Sequence, residues 1–347
     1  MGYETHVIDL SSALGGAVGT GMMREVAQYF KVNEQLSFKP STEGEHVFLY
    51  LQKTGLNTEE VAKKLAMHAK VPRRAVSYAG MKDRHAVTKQ WFSVHLPGKE
   101  GPDWHLLEEE TLRIENITRH SKKLKRGSIK FNEFDIIITR LKGDSDQFLN
   151  RAEQIKETGV PNYFMEQRFG YLCQNIERVY RIFSRNEAIK NKKMKNLLLS
   201  SARSYLFNQV LNKRVADKNW DKALPGDVFM LNGTRQYFKE ERISDLINKR
   251  LLEQDIHPTG PLFGVSSHAS TKAVYELENQ IFKEEKVFCD GLLKAKVGSA
   301  RRSLRVVPEA FEFGFLSEDS LRLKFKLPSG SYATALIREL IKTNRLN

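Results

Sequence analysis

The segment Ala79-Gly80-Met81-Lys82-Asp83-Arg84-His85-Ala86-Val87-Thr88-Lys89-Gln90-Trp91-Phe92-Ser93 joins a short extended run to a longer one and places a single carboxylate at the join. Upstream, residues 75–79 read as a strand. Downstream, residues 87–96 alternate, with Phe92, Val94 and Leu96 on one face. Asp83 therefore lies on a connection between two strands, where a rigid scaffold can present a reactive side chain. Its neighbours Lys82 and Arg84 favour the ionised carboxylate and suit a site that receives a polyanion. Such a group can act as nucleophile or base. His85 is close enough to serve as a general base, although a lone His in a polar loop is more often a bystander.

Outward from this loop the pattern is mixed. Asn57 followed by Glu60, with Val61, Leu65 and Ala69 at helical spacing and Pro72 beyond, predicts a capped helix. A further strand is expected over 134–141 through Ile136, Ile137 and Ile138, entered from Gly127. The first 150 or so residues thus combine sheet and helix. After Val160-Pro161 the texture changes, and Leu198, Ala202, Leu206 and Val210 predict a helix over 196–215. This middle portion reads as a separate, mainly helical unit. Its far side is marked by His257-Pro258-Thr259-Gly260-Pro261 and a helical stretch over 273–287. From Arg305 strand patterns return, with Leu321, Leu323, Phe325 and Leu327 alternating, and these are expected to rejoin the first sheet.

Composition narrows the partners. Of 347 residues 40% are hydrophobic and 28% charged, which fits a globular chain and neither a disordered tail nor a membrane protein. The formal net charge of +14 coexists with 42 acidic residues, so basic groups must be concentrated on part of the surface, and nucleic acid is the leading partner. An anionic membrane would call for a basic amphipathic helix or a lipidation motif, and neither is found. Cys173 and Cys289 are too few and too far apart for a disulfide framework or a zinc site, which points to a reducing cytosol. The apolar stretch from Val7 to Met23 follows Glu4, contains Asp9, and is broken by Gly15, Gly16, Gly19 and Gly21, so it reads as mature protein rather than a leader. Those glycines match neither the phosphate-loop spacing nor the dinucleotide fingerprint. No histidine pairs with another ligand at metal-binding spacing, and no Gly-x-Ser-x-Gly elbow occurs.

The densest basic run holds Arg119, Lys122, Lys123, Lys125, Arg126 and Lys130, and leads into Phe131-Asn132-Glu133-Phe134. It is read as a phosphate-contacting surface ending in groups that can stack on and hydrogen-bond to a splayed base. Parity also allows Phe134 to be buried with Ile136 and Ile138. The segment 161–170, with Tyr163, Phe164, Arg168 and Phe169, reads either as a joining turn with core aromatics or as a place where Arg168 faces RNA.

Several of these stretches together resemble the TruD family of tRNA pseudouridine synthases. The central motif is Gly80-Met81-Lys82-Asp83-Arg84-His85-Ala86-Val87-Thr88 with Gln90, and a second is Asn162-Tyr163-Phe164 followed by Gln167-Arg168-Phe169-Gly170. Agreement extends to Gly55-Leu56-Asn57-Thr58, Ser201-Ala202-Arg203-Ser204 with Phe207-Asn208, Pro258-Thr259-Gly260-Pro261, and Leu327-Pro328-Ser329-Gly330-Ser331-Tyr332-Ala333-Thr334. Two departures are visible. Ala27-Gln28-Tyr29-Phe30 stands where the family usually reads Pro-Glu-Asp-Phe, and Met165 replaces a frequent Gly.

The resemblance implies an α+β fold, in which a mixed-sheet pseudouridine synthase catalytic domain is interrupted by an inserted α/β TRUD domain. The expected boundaries are 1–156 and 305–347 for the catalytic domain and 157–304 for the insertion. It further implies that Asp83 is the catalytic aspartate and that the uridine at position 13 of certain tRNAs is isomerised in the cytoplasm, without cofactor or metal. Arg24, where the family usually has a lysine, and Lys82 are the candidate cation partners of Asp83. Phe30, Asn132 and Tyr332 are nominated to hold the extruded base, with Phe134 close by. Arg203, Lys213 and Arg214 would face the tRNA. Membrane and obligate protein partners are not implied. The competing readings are a non-catalytic RNA-binding protein and an Asp-dependent hydrolase of nucleic acid.

Overall fold

The alternating runs form one large sheet, and they come from both halves of the chain. The computed structural model describes residues 9–266 and 269–343; Glu4 and Val7, used above in reading the N-terminal stretch, lie outside them. In chain order the strands are β1 (Gly19–Met23), β2 (Phe30–Leu36), β3 (His46–Thr54), β4 (Val76–Tyr78), β5 (Val87–His95), β6 (Leu112–His120), β7 (Ile129–Gly143) and β8 (Val160–Pro161). They continue with β9 (Val228–Leu231), β10 (Tyr237–Lys239), β11 (Ile256–Leu262), β12 (Ala300–Ser303), β13 (Arg305–Val306), β14 (Glu309–Ser317), β15 (Ser320–Pro328) and β16 (Ile341–Thr343). Two compact units result. One comprises Val18–Ala152, Pro308–Gly330 and Ile341–Asn347, the other Met1–Ala17, Glu153–Val307 and Ser331–Leu340.

The first unit is built on a mixed sheet of ten strands among the described residues. Their order is β14-β15-β7-β2-β5-β3-β6, with β1 joining β7 and β16, and β4 joining β5. β2 pairs with β5, and β1 with β16, in parallel. Register partners share a face of a sheet. One row of side chains therefore crosses five strands as Phe325, Phe134, Val32, Thr88 and Lys53. On the same face Leu327, Asn132 and Glu34 form a second row across β15, β7 and β2, while Gln90 lies opposite Leu51.

The helix Thr58–His68 covers this face over β3 and β5, where Val61, Ala62 and Leu65 pack against Val47, Leu49, Leu51, Phe92 and Val94. Burial of each of the Val, Leu and Phe side chains contributes about 1.5–3 kcal/mol. The helix starts where its capping signal predicts, with the Asn57 N–H donating to Glu60 Oε2 at 2.7 Å. The opposite face holds Phe48, Trp91 and Leu124 in a smaller cluster. β5 is thus buried on both sides.

The second unit centres on the helix Lys192–Ala216, whose Leu198, Ala202, Leu206 and Val210 lie in its core as their spacing predicts. The helical stretch expected over 273–287 is two helices, Lys272–Glu284 and Lys286–Lys294. Alongside its helices the unit also carries the four-stranded sheet β10-β9-β11-β12. His257 to Pro261 lie within β11, with Pro258 opposite Phe229 and Pro261 opposite Arg301. Residues 256–258 pair only with β9 and residues 259–262 only with β12. Each proline can therefore turn its missing N–H away from a ladder. Gly260 is needed here, since a Cβ would lie 2.9 Å from Leu304 and 3.0 Å from Phe207. Among the described residues no helix is long and apolar enough to cross a membrane.

Candidate active site

The loop between β4 and β5 is held by its backbone. Gln90 Nε2 donates to the Gly80 carbonyl at 2.6 Å, the Lys82 N–H donates to Thr58 Oγ1 at 2.9 Å, and Lys53 Nζ donates to the Asp83 carbonyl at 3.0 Å. Lys53 also donates to the Leu56 carbonyl at 2.8 Å, and Thr58 Oγ1 donates to Gln90 Oε1 at 3.0 Å. All three side chains are buried. Burial pushes the Lys53 ammonium down to about 8, against the opposing pull of Asp83.

With its backbone fixed, Asp83 presents a side chain that is 28% exposed. Its Oδ1 accepts the His85 backbone N–H at 3.0 Å, and its Oδ2 meets the Arg24 guanidinium at 2.9 Å. Arg24 follows β1 in a left-handed backbone conformation, φ +60°, and its guanidinium lies over the Phe30 ring at 4.2 Å. An ion pair this exposed contributes about 0–1 kcal/mol to folding. Its main effect is orientation, with one carboxylate oxygen held by a planar donor.

Lys82, expected as a second cation partner of Asp83, goes elsewhere. Its ammonium lies 2.6 Å from Glu34 Oε1 and donates to Asn132 Oδ1 at 2.9 Å. Glu34 Oε2 in turn accepts the Trp91 N–H at 3.0 Å. Arg84 donates to the Gly55 carbonyl at 2.9 Å. Neither cation adjacent in sequence therefore touches the carboxylate; the one that does arrives from the segment after β1.

Phe30, Asn132 and Phe134 lie on the same face of β2 and β7 as this network, and all are nearly buried. Phe134 packs between Phe30 and Phe325, at 6.3 and 5.3 Å between ring centroids, so it belongs to the core, as parity allowed. Phe131 is buried as well. Tyr332 belongs to the second unit, where its ring meets Phe164 edge-on at 6.0 Å and burial raises its phenol. In that unit Arg168 donates to Ser200 and Ser204, and Arg203 donates to the carbonyls of Leu262, Phe263 and Gly298. Arg214 is 1% exposed and pairs with Asp227 at 3.1 Å, so it is a core group. Lys213 pairs with Asp217 on the surface. Lys122, Lys123, Lys125, Arg126 and Lys130 are exposed on or beside the connection from β6 to β7, whereas Arg119 is tied to the carbonyls of Gly44, Lys99 and Glu100.

Sequence reading missed Glu34, Lys53 and Thr58. A signal was present for Lys53, because it occupies the inward position that follows Val47, Leu49 and Leu51 along β3. Among the described residues no group of three or more His, Cys, Asp or Glu is arranged to hold a metal ion.

The arrangement offers one oriented, partly exposed carboxylate beside an apolar wall with amide and cationic groups. This suits attack on, or proton removal from, a flat polar ring brought out of its stack. The family model described as tRNA pseudouridine synthase D (TruD) matches residues 12–188 and 183–340. The chain is similar to tRNA pseudouridine synthase D of Methylococcus capsulatus, 40% identical over 96% of this chain and 94% of that protein. It is likewise 42% identical to tRNA pseudouridine synthase D of Pseudomonas entomophila, over 95% of this chain and 93% of that one. A solved TruD-type structure from Methanosarcina mazei shares the fold, with a TM-score of 0.69 over 97% of this chain and 95% of that one at 20% identity. The chain belongs to the TruD family.

Proposed function

We propose that this protein isomerises a uridine in tRNA to pseudouridine, that the target is position 13, and that Asp83 is the catalytic group. Glycosidic bond N1–C1′ breaks, the uracil turns in place, C5 bonds to C1′, the C5 proton leaves and N1 gains one. Atoms and electrons balance within the substrate, so the reaction itself calls for no electron carrier. Asp83 assists by attacking C1′ or C6, or by taking the C5 proton. Phe30, Asn132 and Tyr332 are the residues proposed to hold the base, and Lys122 to Lys130 to meet phosphates. Residues 1–156 and 305–347 would form the catalytic domain, and residues 157–304 the inserted one. Cytoplasmic tRNA is the expected substrate pool.

The observation that carries the reading is the Asp83 carboxylate, oriented by Arg24 on a loop pinned through its backbone. A protein that only binds RNA has no use for such an acid, which repels phosphates. Release of tritium from C5-labelled uridine in tRNA tests it, because isomerisation leaves mass unchanged. Wild type should release tritium and Asp83→Asn should not. Equal release by both overturns the assignment of Asp83, and release by neither leaves the binding protein.

A further inference from the structure

We propose that Lys53 is a positioning residue for Asp83, fixing the loop 80–83 through backbone atoms together with Thr58 and Gln90. The proposal rests on the catalytic reading of Asp83 above. Its geometric basis is that three buried side chains each hold one backbone atom of the loop, and Lys53 holds the carbonyl of Asp83 itself.

The position is an odd one for a charge. Lys53 is 1% exposed, on the face where Val47, Leu49 and Leu51 pack under the helix Thr58–His68. An apolar side chain would continue that row, and burying an ammonium is costly unless it is well bonded. What the ammonium gains is two charge-assisted bonds, to the carbonyls of Leu56 and Asp83, which tie the start of that helix to the loop. Because Lys53 grips the main chain, it occupies neither carboxylate oxygen of Asp83. Rotation of Asp83 about its Cα is then limited by a bond that neither Arg24 nor the incoming base displaces.

The charged groups facing Lys53 are Asp83 and Glu34, Glu60 and Lys82. Burial outweighs them and brings the ammonium down to about 8 from its ordinary 10.5. As pH rises through about 8 the proton leaves and both bonds lose their charge assistance, so turnover falls. Lys53's own contribution to stability moves the other way. Between about 8 and 10.5 the unfolded chain holds this proton and the folded chain does not, so the fold gains as pH rises. A lysine that served only the fold would not set turnover against stability.

The test measures single-turnover tritium release across the range from about pH 6.5 to 9.5 for wild type, Lys53→Met, Thr58→Val and Asp83→Asn, with tRNA affinity and thermal midpoint for each. Lys53→Met should release tritium roughly 10- to 100-fold more slowly, as expected of a misplaced catalytic group, with affinity nearly unchanged and no alkaline fall. A wild-type rate in Lys53→Met, a loss confined to affinity, or the same alkaline fall would overturn the proposal. If Lys53→Met does not fold, the volume-conserving Thr58→Val decides. A slowed rate in that variant supports the cradle; an unchanged rate, with a flat wild-type profile above pH 8, overturns it. Failure of the catalytic reading shows separately, as wild-type release by Asp83→Asn.

Discussion

Glu34 lies directly opposite Asn132 on the β2–β7 ladder, and the Lys82 ammonium closes the pair, 2.6 Å from the carboxylate and 2.9 Å from the amide oxygen. The Glu34 side chain is fully buried, and that of Lys82 is 12% exposed. Removing one member strands the other, so Glu34→Ala should destabilise the protein by about 3–5 kcal/mol in urea unfolding. A loss below about 1 kcal/mol would mean that water solvates Lys82 once its partner is gone.

Acid should loosen the second unit through His257. Its Nδ1 accepts from Arg305 Nε at 3.0 Å while Nε2 faces Asn232 Oδ1 at 3.2 Å, so the ring is neutral with its proton on Nε2. Burial, then the nearby Arg305, pushes the imidazole down to about 3. Below its ordinary 6.5 the unfolded chain takes a proton that the folded chain refuses, and stability falls toward pH 3 by up to about 1.4 kcal/mol per pH unit. Unfolding midpoints of wild type and His257→Gln between those limits should show the shallower slope in the variant. Parallel slopes would assign the acid sensitivity to other groups.

Charge reversal of Lys122, Lys123, Lys125 and Arg126 to Glu should weaken tRNA binding. The salt dependence should drop by roughly one unit of logarithmic slope for each phosphate that is no longer neutralised. All four residues are exposed, so the thermal midpoint should hold. Unchanged affinity across a salt series would place the RNA on another surface.

Elements whose signals are local could be read directly. The helix Thr58–His68, the face of Phe92, Val94 and Leu96, the row Leu321 to Leu327 and the position of Asp83 between β4 and β5 all follow from spacing. Other features depend on partners far along the chain. Glu34 and Arg214 look like surface groups until Lys82 and Asp227 are brought to them, and Lys53, though at an inward position of β3, shows its use only once the Asp83 carbonyl reaches it. Arg24 could be nominated only by resemblance, since nothing local aims it at Asp83. β11 was hidden by its two prolines, which a one-sided ladder tolerates. Phe134 carried two readings, and only the packing of Phe30 and Phe325 around it decides for the core.

The long strand β7 pairs with β15 along most of its length, and β1 pairs with β16. During synthesis β15 follows the whole of Glu153–Val307, so β7 waits with an unpaired flank while that segment is made. Pairing across such sequence separation is slow, and an open edge invites association with other chains. The nascent protein should therefore depend on chaperones until β15 arrives, whatever the stability of the finished fold.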